Sequence, residues 1–452
     1  MTTPKYVVAI VGGATAGAET AGLLADRGVV SVVFEQNARP YGKIEDGLPR
    51  WHGKLRQKEY ATINAHLERP EVHFVPKTKI GRDLDFRELV HDWGFTSVIL
   101  AHGAWRDRAL PVPGAEAFVG RGLVYQNSFI YWFNHYEERA YNGPRYEVTD
   151  GCIVIGGGLA SIDVSKVLQI EAVRGALRQR GIEVSALELE HAGLPATLAA
   201  HGLTWEALGL RPATLFYRRL IEDMPLLEMP ANADAARRQQ IGAVRRRLVE
   251  KAMQRYLFNV VPLRAPLGVL VEGDRMVGMR FQRTTVSEGE ILSVPGAVED
   301  VRAPLVISSI GSIPEPMPGI PQRGDLYDYL DRELGRVRGY DTVFSTGNVV
   351  TGKGNVVASR RHSVEVTTRL LEGFLGIGAS DGHEGEDVLL DSVTAPAAAA
   401  AARLADWVGS RPLLEAPQVE AILRRVRERQ AAVGYTGSYG EWIDRVTPDD
   451  LG

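Results

Sequence analysis

The residues best placed to do chemistry are glycines at the ends of apolar runs. Val7–Val11 runs into Gly12-Gly13-Ala14-Thr15-Ala16-Gly17, an Ala/Leu-rich stretch follows to Arg27-Gly28, and Val29–Phe34 then ends on Glu35-Gln36. Strand, glycine turn, helix, strand and acid in that order form a dinucleotide-binding unit. The first glycine makes the sharp turn, the helix N-terminus takes a pyrophosphate, and an acid about 20 residues on accepts from ribose hydroxyls. Glu35 stands 23 residues after Gly12. Ala14 holds the middle glycine position, so a pyrophosphate must tolerate a methyl group or sit further off. A plain buried βαβ unit is the bland alternative.

A second copy begins at Gly151-Cys152-Ile153-Val154-Ile155 and continues through Gly156-Gly157-Gly158-Leu159-Ala160-Ser161 into a helix expected through Asp163 to about Leu168. Its second strand is delayed to Ala213–Tyr217, behind an insertion (172–212) that reads as helix, loop and helix. Where the first unit has Glu35, this one has Arg218-Arg219. Cations there favour a 2′-phosphate over a bare ribose diol; a solvated basic strand end is the competing reading. Two units with different ribose chemistry imply two cofactors, FAD and NADPH.

Positioning these turns takes two domains and two crossings. Ser97–Leu100 leads to Ala101-His102-Gly103, and Leu305–Ser308 leads to Ser309-Ile310-Gly311-Ser312. A final strand, Thr342–Ser345, precedes Thr346-Gly347-Asn348 and then Gly352-Lys353-Gly354-Asn355-Val356-Val357, where a helix to about Phe374 is expected. Its N-terminal N–H groups suit the anionic edge of a reduced flavin. The expected fold class is α/β: two Rossmann-like dinucleotide-binding domains, an FAD domain with an inserted NAD(P)H domain, plus a helical C-terminal extension. The FAD domain takes 1–105 and 338–380, the NADPH domain 106–337 and the extension 381–452.

Composition narrows the chemistry. The chain has 452 residues, 45% hydrophobic and 24% charged, which suits an ordinary globular protein. Glycine, at 48 residues, exceeds the usual ~7%. A single cysteine, Cys152, rules out an intramolecular disulfide, a Cys-x-x-Cys redox centre and a self-supplied iron–sulfur cluster. Fifty-two Lys and Arg against 56 Asp and Glu leave a net charge of −4, so no global field draws nucleic acid. The apolar run after Lys5 belongs to the first βαβ unit rather than to a signal peptide, no stretch approaches a membrane span, and a cytoplasmic location is expected. Asp234–Leu257 reads as a helix with a local excess of cations (Arg237, Arg238, Arg245, Arg246, Arg247, Lys251, Arg255), suited to an acidic partner or simply solvated. Arg360, Arg361 and His362 form a smaller basic group. Leu370–Ala402 contains no Lys or Arg and reads as an acidic linker, followed by helices around Arg403–Val408 and Gln418–Val433. Phe118-x-Gly120 starts a monooxygenase-like fingerprint, but Val124 fills its histidine position, and no metal-ligand spacing occurs.

Together with the two fingerprints, three further stretches resemble the adrenodoxin-reductase-like NADPH–ferredoxin reductases and, more distantly, the glutamate synthase small subunit. These are Pro40-Tyr41-Gly42-Lys43-Ile44 through His52-Gly53-Lys54, Phe129-Ile130-Tyr131-Trp132-Phe133-Asn134, and Leu215-Phe216-Tyr217-Arg218-Arg219 with Glu222 and Met224-Pro225. The resemblance covers most of residues 6–375. It implies hydride transfer from NADPH to FAD and release of single electrons to a ferredoxin or similar small carrier, by a monomer or weak oligomer. It also implies cofactor contacts at Gly42, Lys43, Ile44 and Thr78, and a proton-relay role for His52, whose alternative is packing. Lys43, Glu45 and Asp46 depart from the leucine, arginine and tyrosine more usual in the family. His102 stands for threonine, and Asn348 for tryptophan. The alternatives are an NAD(P)H diaphorase or oxidase and a flavin-containing electron-transfer subunit of a larger complex.

Overall fold

The computed structural model describes residues 6–227, 229–230, 232–351, 372, 375 and 386–448. Val7–Val11 lies near the middle of a seven-stranded sheet ordered Tyr329–Asp331, Arg336–Val337, Val343–Ser345, Ser97–Leu100, Val7–Val11, Val30–Phe34, Val72–Val75. The last five are parallel, with Val7 opposite Val30 and Val11 opposite both Phe34 and Leu100. Valine-rich runs without polar alternation suit a parallel sheet covered on both faces. Val7, Ala9 and Val11 point to one face with Phe86, Leu89, Val419 and Ile422. Val8 and Ile10 point to the other with Ala18, Ala21 and Leu24, as the period of two requires.

The second sheet is wholly parallel, ordered Leu123–Tyr125, Val306–Ser309, Ile153–Gly156, Thr214–Phe216, Asn259–Val261. One face packs Val154, Leu215 and Ile307 against the helices Leu159–Arg178 and Ala235–Tyr256. The other is covered by an antiparallel three-stranded ribbon, Arg264–Glu272, Arg275–Ser287 and Glu290–Arg302. Met276, Met279 and Phe281 of this ribbon sit on Ile153, Ile155 and Phe216. The Phe216 and Phe281 rings stack at 4.1 Å.

The chain passes between the halves at one place, where Arg106–Asp107 pairs antiparallel with Ser312–Ile313. The first half therefore resumes soon after Ser312. Tyr329–Asp331 and Arg336–Val337, assigned to the inserted domain from sequence, hydrogen-bond into the first sheet instead.

Two expected elements change length. The helix after the second glycine turn runs on to Arg178, ten residues past Leu168, because Ile170, Val173 and Leu177 continue its buried face. The insertion then contains three short helices: Ala186–Ala192, Leu194–Ala200 and Trp205–Leu208. The expected acidic linker also needs correction, since Glu386–Gly409 is one helix that includes the alanine run. Its Leu404, Ala405 and Val408 share a core with Ala18, Ala21 and Leu24 of the helix Thr15–Ala25. Small side chains on both helices let their axes approach closely. Ala416–Ala432 packs beside the edge strand Val72–Val75, with Gln430 Nε2 donating to Phe74 O at 2.8 Å. Tyr439–Val446 follows, where the Trp442 indole donates to Ala38 O at 2.8 Å. Among the described residues no helix is long and apolar enough to cross a membrane.

Candidate functional site

A cavity of about 1090 Å³ opens between the two sheets and receives both glycine turns. At the first, Gly12 has φ +99°, and a Cβ there would lie 2.7 Å from the His102 backbone. A Cβ on Gly17 would lie 1.9 Å from Gly12 O. Both positions therefore require glycine, one for its left-handed conformation and both for close approach. Ala14 caps the helix Thr15–Ala25 without a side-chain acceptor, and no acid occupies the first turn. At the second turn Gly158 caps Leu159–Arg178 in the same unassisted way, again with no first-turn acid. Two helix starts whose N–H groups lack a side-chain cap, both facing one cavity, fit two anionic pyrophosphates. The methyl of Ala14 meets the backbone at Gly42 (φ +50°), where an added Cβ would lie 2.9 Å away.

The ends of the two second strands differ in charge, with a carboxyl group at one and guanidinium groups at the other. Glu35 Oε2 accepts from Gly13 N and Oε1 from Asn37 N, each at 2.9 Å. Burial pushes this carboxyl up to about 7 against those two hydrogen bonds. Each oxygen keeps acceptor capacity suited to a hydroxyl donor. At the other end Arg218 is exposed, while Arg219 Nη2 donates to Gly289 O at 2.8 Å. The Tyr217 ring closes over Gly157, where a Cβ would lie 2.2 Å from it. Ser161 Oγ donates to Ser309 O at 3.1 Å and ties the second turn to the second crossing.

His102 supplies a further fitted group. The Tyr327 hydroxyl donates to Glu315 O at 2.7 Å and so receives the Nε2 proton of His102 at 3.0 Å. This leaves Nδ1 unprotonated, buried and without a partner among the described residues. Burial pulls the imidazole down to about 4, so it stays neutral. An orphaned acceptor beside the first turn suits a ligand hydroxyl. Lys43, also on the wall, donates to Asn127 Oδ1 and Ser312 Oγ, both at 3.0 Å. Burial pulls its ammonium down to about 8 against the attraction of Asp107.

Of the sequence-derived residues, Gly12, Ala14, Thr15, Ala16, Glu35, Gln36, Gly42, Lys43, Ile44, Thr78, Ala101, His102 and Gly103 line the cavity, together with Gly347 and Asn348. So do Gly156, Gly157, Gly158, Leu159, Ala160, Arg218 and Arg219. Gly13 and Gly17 lie behind the wall and shape the turn. Gly354, Asn355, Val356 and Val357 fall outside the described residues, as do Arg360, Arg361 and His362. His52 is buried behind the wall, where its Nε2 accepts from the Trp51 indole at 3.1 Å. Asp163 and Arg264, which sequence reasoning did not single out, line the cavity. The signal for Asp163 was its place one turn into the second helix; Arg264 gave none, because it belongs to the unforeseen ribbon.

The basic helix needs a partial correction. Arg245 is buried and donates to the carbonyls of Glu222 and Leu227. Arg246 pairs with Glu222, and Lys251 with Glu372. Arg238 remains exposed, with its Nε on Ala233 O.

The chain is 25% identical to human mitochondrial NADPH:adrenodoxin oxidoreductase over 85% of its length and 83% of that protein. It is also 25% identical to the NADPH-ferredoxin reductase FprA of Mycobacterium leprae, over 84% and 82%. Known reductases of the adrenodoxin type match most of this chain. The small chain of NADPH glutamate synthase from Halomonas elongata is 26% identical over 78% of the chain and 64% of that protein. No family model matches. The fold is that of Mycobacterium tuberculosis FprA in complex with NADPH, at a TM-score of 0.61, 17% identity and coverage of 94% and 91%.

Proposed function

We propose that the chain is an FAD-dependent NADPH:ferredoxin-type oxidoreductase. The observation that carries the reading is a single cavity that receives two uncapped helix starts, with a carboxylate at one ribose end and arginines at the other. FAD, when bound, supplies the conversion of a transferred hydride into two single electrons. The chain's own residues bind and orient. Gly12 to Gly17 and the start of Thr15–Ala25 hold one pyrophosphate, and Glu35 accepts from the adjoining ribose. Gly156 to Ala160 hold the other, with Arg218 and Arg219 on the 2′-phosphate. His52 has Nε2 engaged by Trp51, which places its proton on Nδ1 in the neutral ring. Cys152 is buried and is the one cysteine of the sequence, so the chain can form no intramolecular disulfide to take an electron pair. The acceptor is therefore external.

On this reading the partner is an acidic ferredoxin or similar one-electron carrier, and the chain is a cytoplasmic monomer or weak oligomer with no nucleic-acid partner. The names of the relatives support the partner class: NADPH with adrenodoxin, and NADPH with ferredoxin. The deciding experiment monitors flavin absorbance of the purified protein under anaerobic NADPH, followed by cytochrome c reduction with and without added ferredoxin. Bleaching by NADPH and a ferredoxin-dependent rate are expected. Flavin that neither nicotinamide reduces would overturn the enzyme reading, and rapid peroxide formation without a partner would replace it with an oxidase.

A further inference from the structure

We propose that Arg264 is a third cation for the 2′-phosphate of the nicotinamide dinucleotide and that Glu299 aims it. The inference rests on the NADPH reading above and names a specificity residue within it.

Arg264 opens the ribbon strand Arg264–Glu272. Its backbone N donates to Tyr217 O at 2.9 Å, and the preceding Leu263 N donates to Arg219 O at 3.1 Å. The strand thus runs alongside the Tyr217-Arg218-Arg219 segment. Thr284 Oγ1 adds a bond to Arg218 O at 2.9 Å from the neighbouring ribbon strand. Arg218, Arg219 and Arg264 all line the cavity.

The guanidinium of Arg264 is oriented before any ligand contact. Nε donates to Glu299 Oε2 at 2.8 Å and Nη1 to Leu263 O at 3.2 Å. Nη2 has no protein acceptor among the described residues. The side chain is 21% exposed, that of Glu299 50%. A planar fork held by two of its nitrogens, with the third free at a cavity wall, is pre-organised for a phosphate oxygen.

Charge crowding points the same way. Arg264 is registered directly opposite Arg283, a cross-strand like-charge pair that costs stability unless an anion offsets it. Glu299 meets only part of that need, and Glu288 and Glu290 lie at the hairpin whose Gly289 carbonyl holds Arg219. Three of these arginines, Arg218, Arg219 and Arg264, line one cavity in a chain whose net charge is −4.

The test titrates the purified holoprotein with 2′,5′-ADP and with 5′-AMP and takes the ratio of affinities. Arg264→Gln is expected to lower the 2′,5′-ADP affinity roughly tenfold, the size of one lost charge-assisted hydrogen bond, and to leave 5′-AMP unchanged. Glu299→Gln keeps an acceptor for Nε, removes the competing charge, and is expected to raise the ratio. A ratio unmoved by Arg264→Gln overturns the proposal. Should that variant not fold, Glu299→Gln decides: a raised ratio supports it and an unmoved ratio overturns it. Wild-type protein that binds both nucleotides equally would overturn the NADPH reading and this inference together, whereas wild-type discrimination that Arg264→Gln leaves undiminished overturns the inference alone.

Discussion

Lys166 and Glu190 form an ion pair at 2.9 Å with both side chains buried, although 24 residues separate them in sequence. The ammonium also donates to Leu375 O at 3.1 Å and lies 4.6 Å from the centroids of both the Trp51 and Tyr256 rings. Burial raises Glu190, but the attraction of Lys166 outweighs it and holds the carboxyl below its ordinary value. Removing one partner strands the other charge. Lys166→Met should cost about 3–5 kcal/mol, read as a lower midpoint in urea unfolding, and the double variant with Glu190→Gln should recover part of it. Because Glu190 is depressed in the folded chain, its stabilising share is present above the ordinary carboxylate range. That share is lost as pH falls through the folded value.

Glu35 should show the opposite slope. Its folded value is raised to about 7, so in the nucleotide-free chain the folded state binds more protons than the unfolded state between about pH 4.5 and 7. Stability from this group then falls as pH rises across that window, by roughly 3 kcal/mol in all. Denaturant unfolding of the flavin-stripped chain at pH 5 and pH 7.5 should reveal the slope, and Glu35→Gln should flatten it.

The glycine turn can be tested against an internal control. Gly12 and Gly28 both have positive φ, but a Cβ at Gly12 would strike the His102 backbone, whereas one at Gly28 meets nothing within 4 Å. Gly28→Ala should cost about 1–2 kcal/mol from conformation alone. Gly12→Ala should cost more and should yield protein with a markedly lower ratio of flavin to protein absorbance.

The Trp51 to His52 hydrogen bond predicts a tautomer. With the indole donating to Nε2, neutral His52 should carry its proton on Nδ1, visible in the ring nitrogen shifts of labelled protein. Trp51→Phe keeps a ring over Lys166 but removes the donor, and should shift the population toward the Nε2 proton. Identical spectra would show that the bond does not set the tautomer.

Arg218 and Arg219 should not be equivalent. Arg219 is anchored on Gly289 O, and Arg218 is exposed. Alanine at either should raise KM for NADPH far more than for NADH. Arg219→Ala should in addition loosen the ribbon hairpin, read as faster amide exchange around Gly289.

Both nucleotide turns were legible in the sequence because each rests on local spacing: apolar run, glycines, helix, and a charged residue at the next strand end. The helix Ala235–Tyr256 was legible too, starting one residue after Asp234, whose side chain accepts from Arg237 N. The ribbon was not. Arg264–Glu272 and Glu290–Arg302 are largely half-buried or exposed along their length, so neither shows the clean alternation or the solid apolar run that marks a strand. The helix Glu386–Gly409 was hidden by the lack of cations before Arg403, and its alanines acquire meaning only beside the small residues of Thr15–Ala25. Contacts such as Lys43 to Ser312, which span 269 positions, leave no mark on local pattern. Which arginines of a basic helix are free depends on carbonyls elsewhere in the fold, as the burial of Arg245 illustrates.

Pairing of Arg106–Asp107 with Ser312–Ile313 makes the inserted half begin and end at neighbouring points, on a two-stranded sheet of its own. A segment that departs and returns at neighbouring points can be lengthened, trimmed or exchanged as a cassette without redrawing the path of the strands that carry it. The ribbon from Arg264 to Arg302 and the three short helices after Arg178 all lie within the segment that departs and returns at this neck. In such an architecture the residues of the second turn can be altered by recombination while the half built around Val7–Val11 is inherited unchanged.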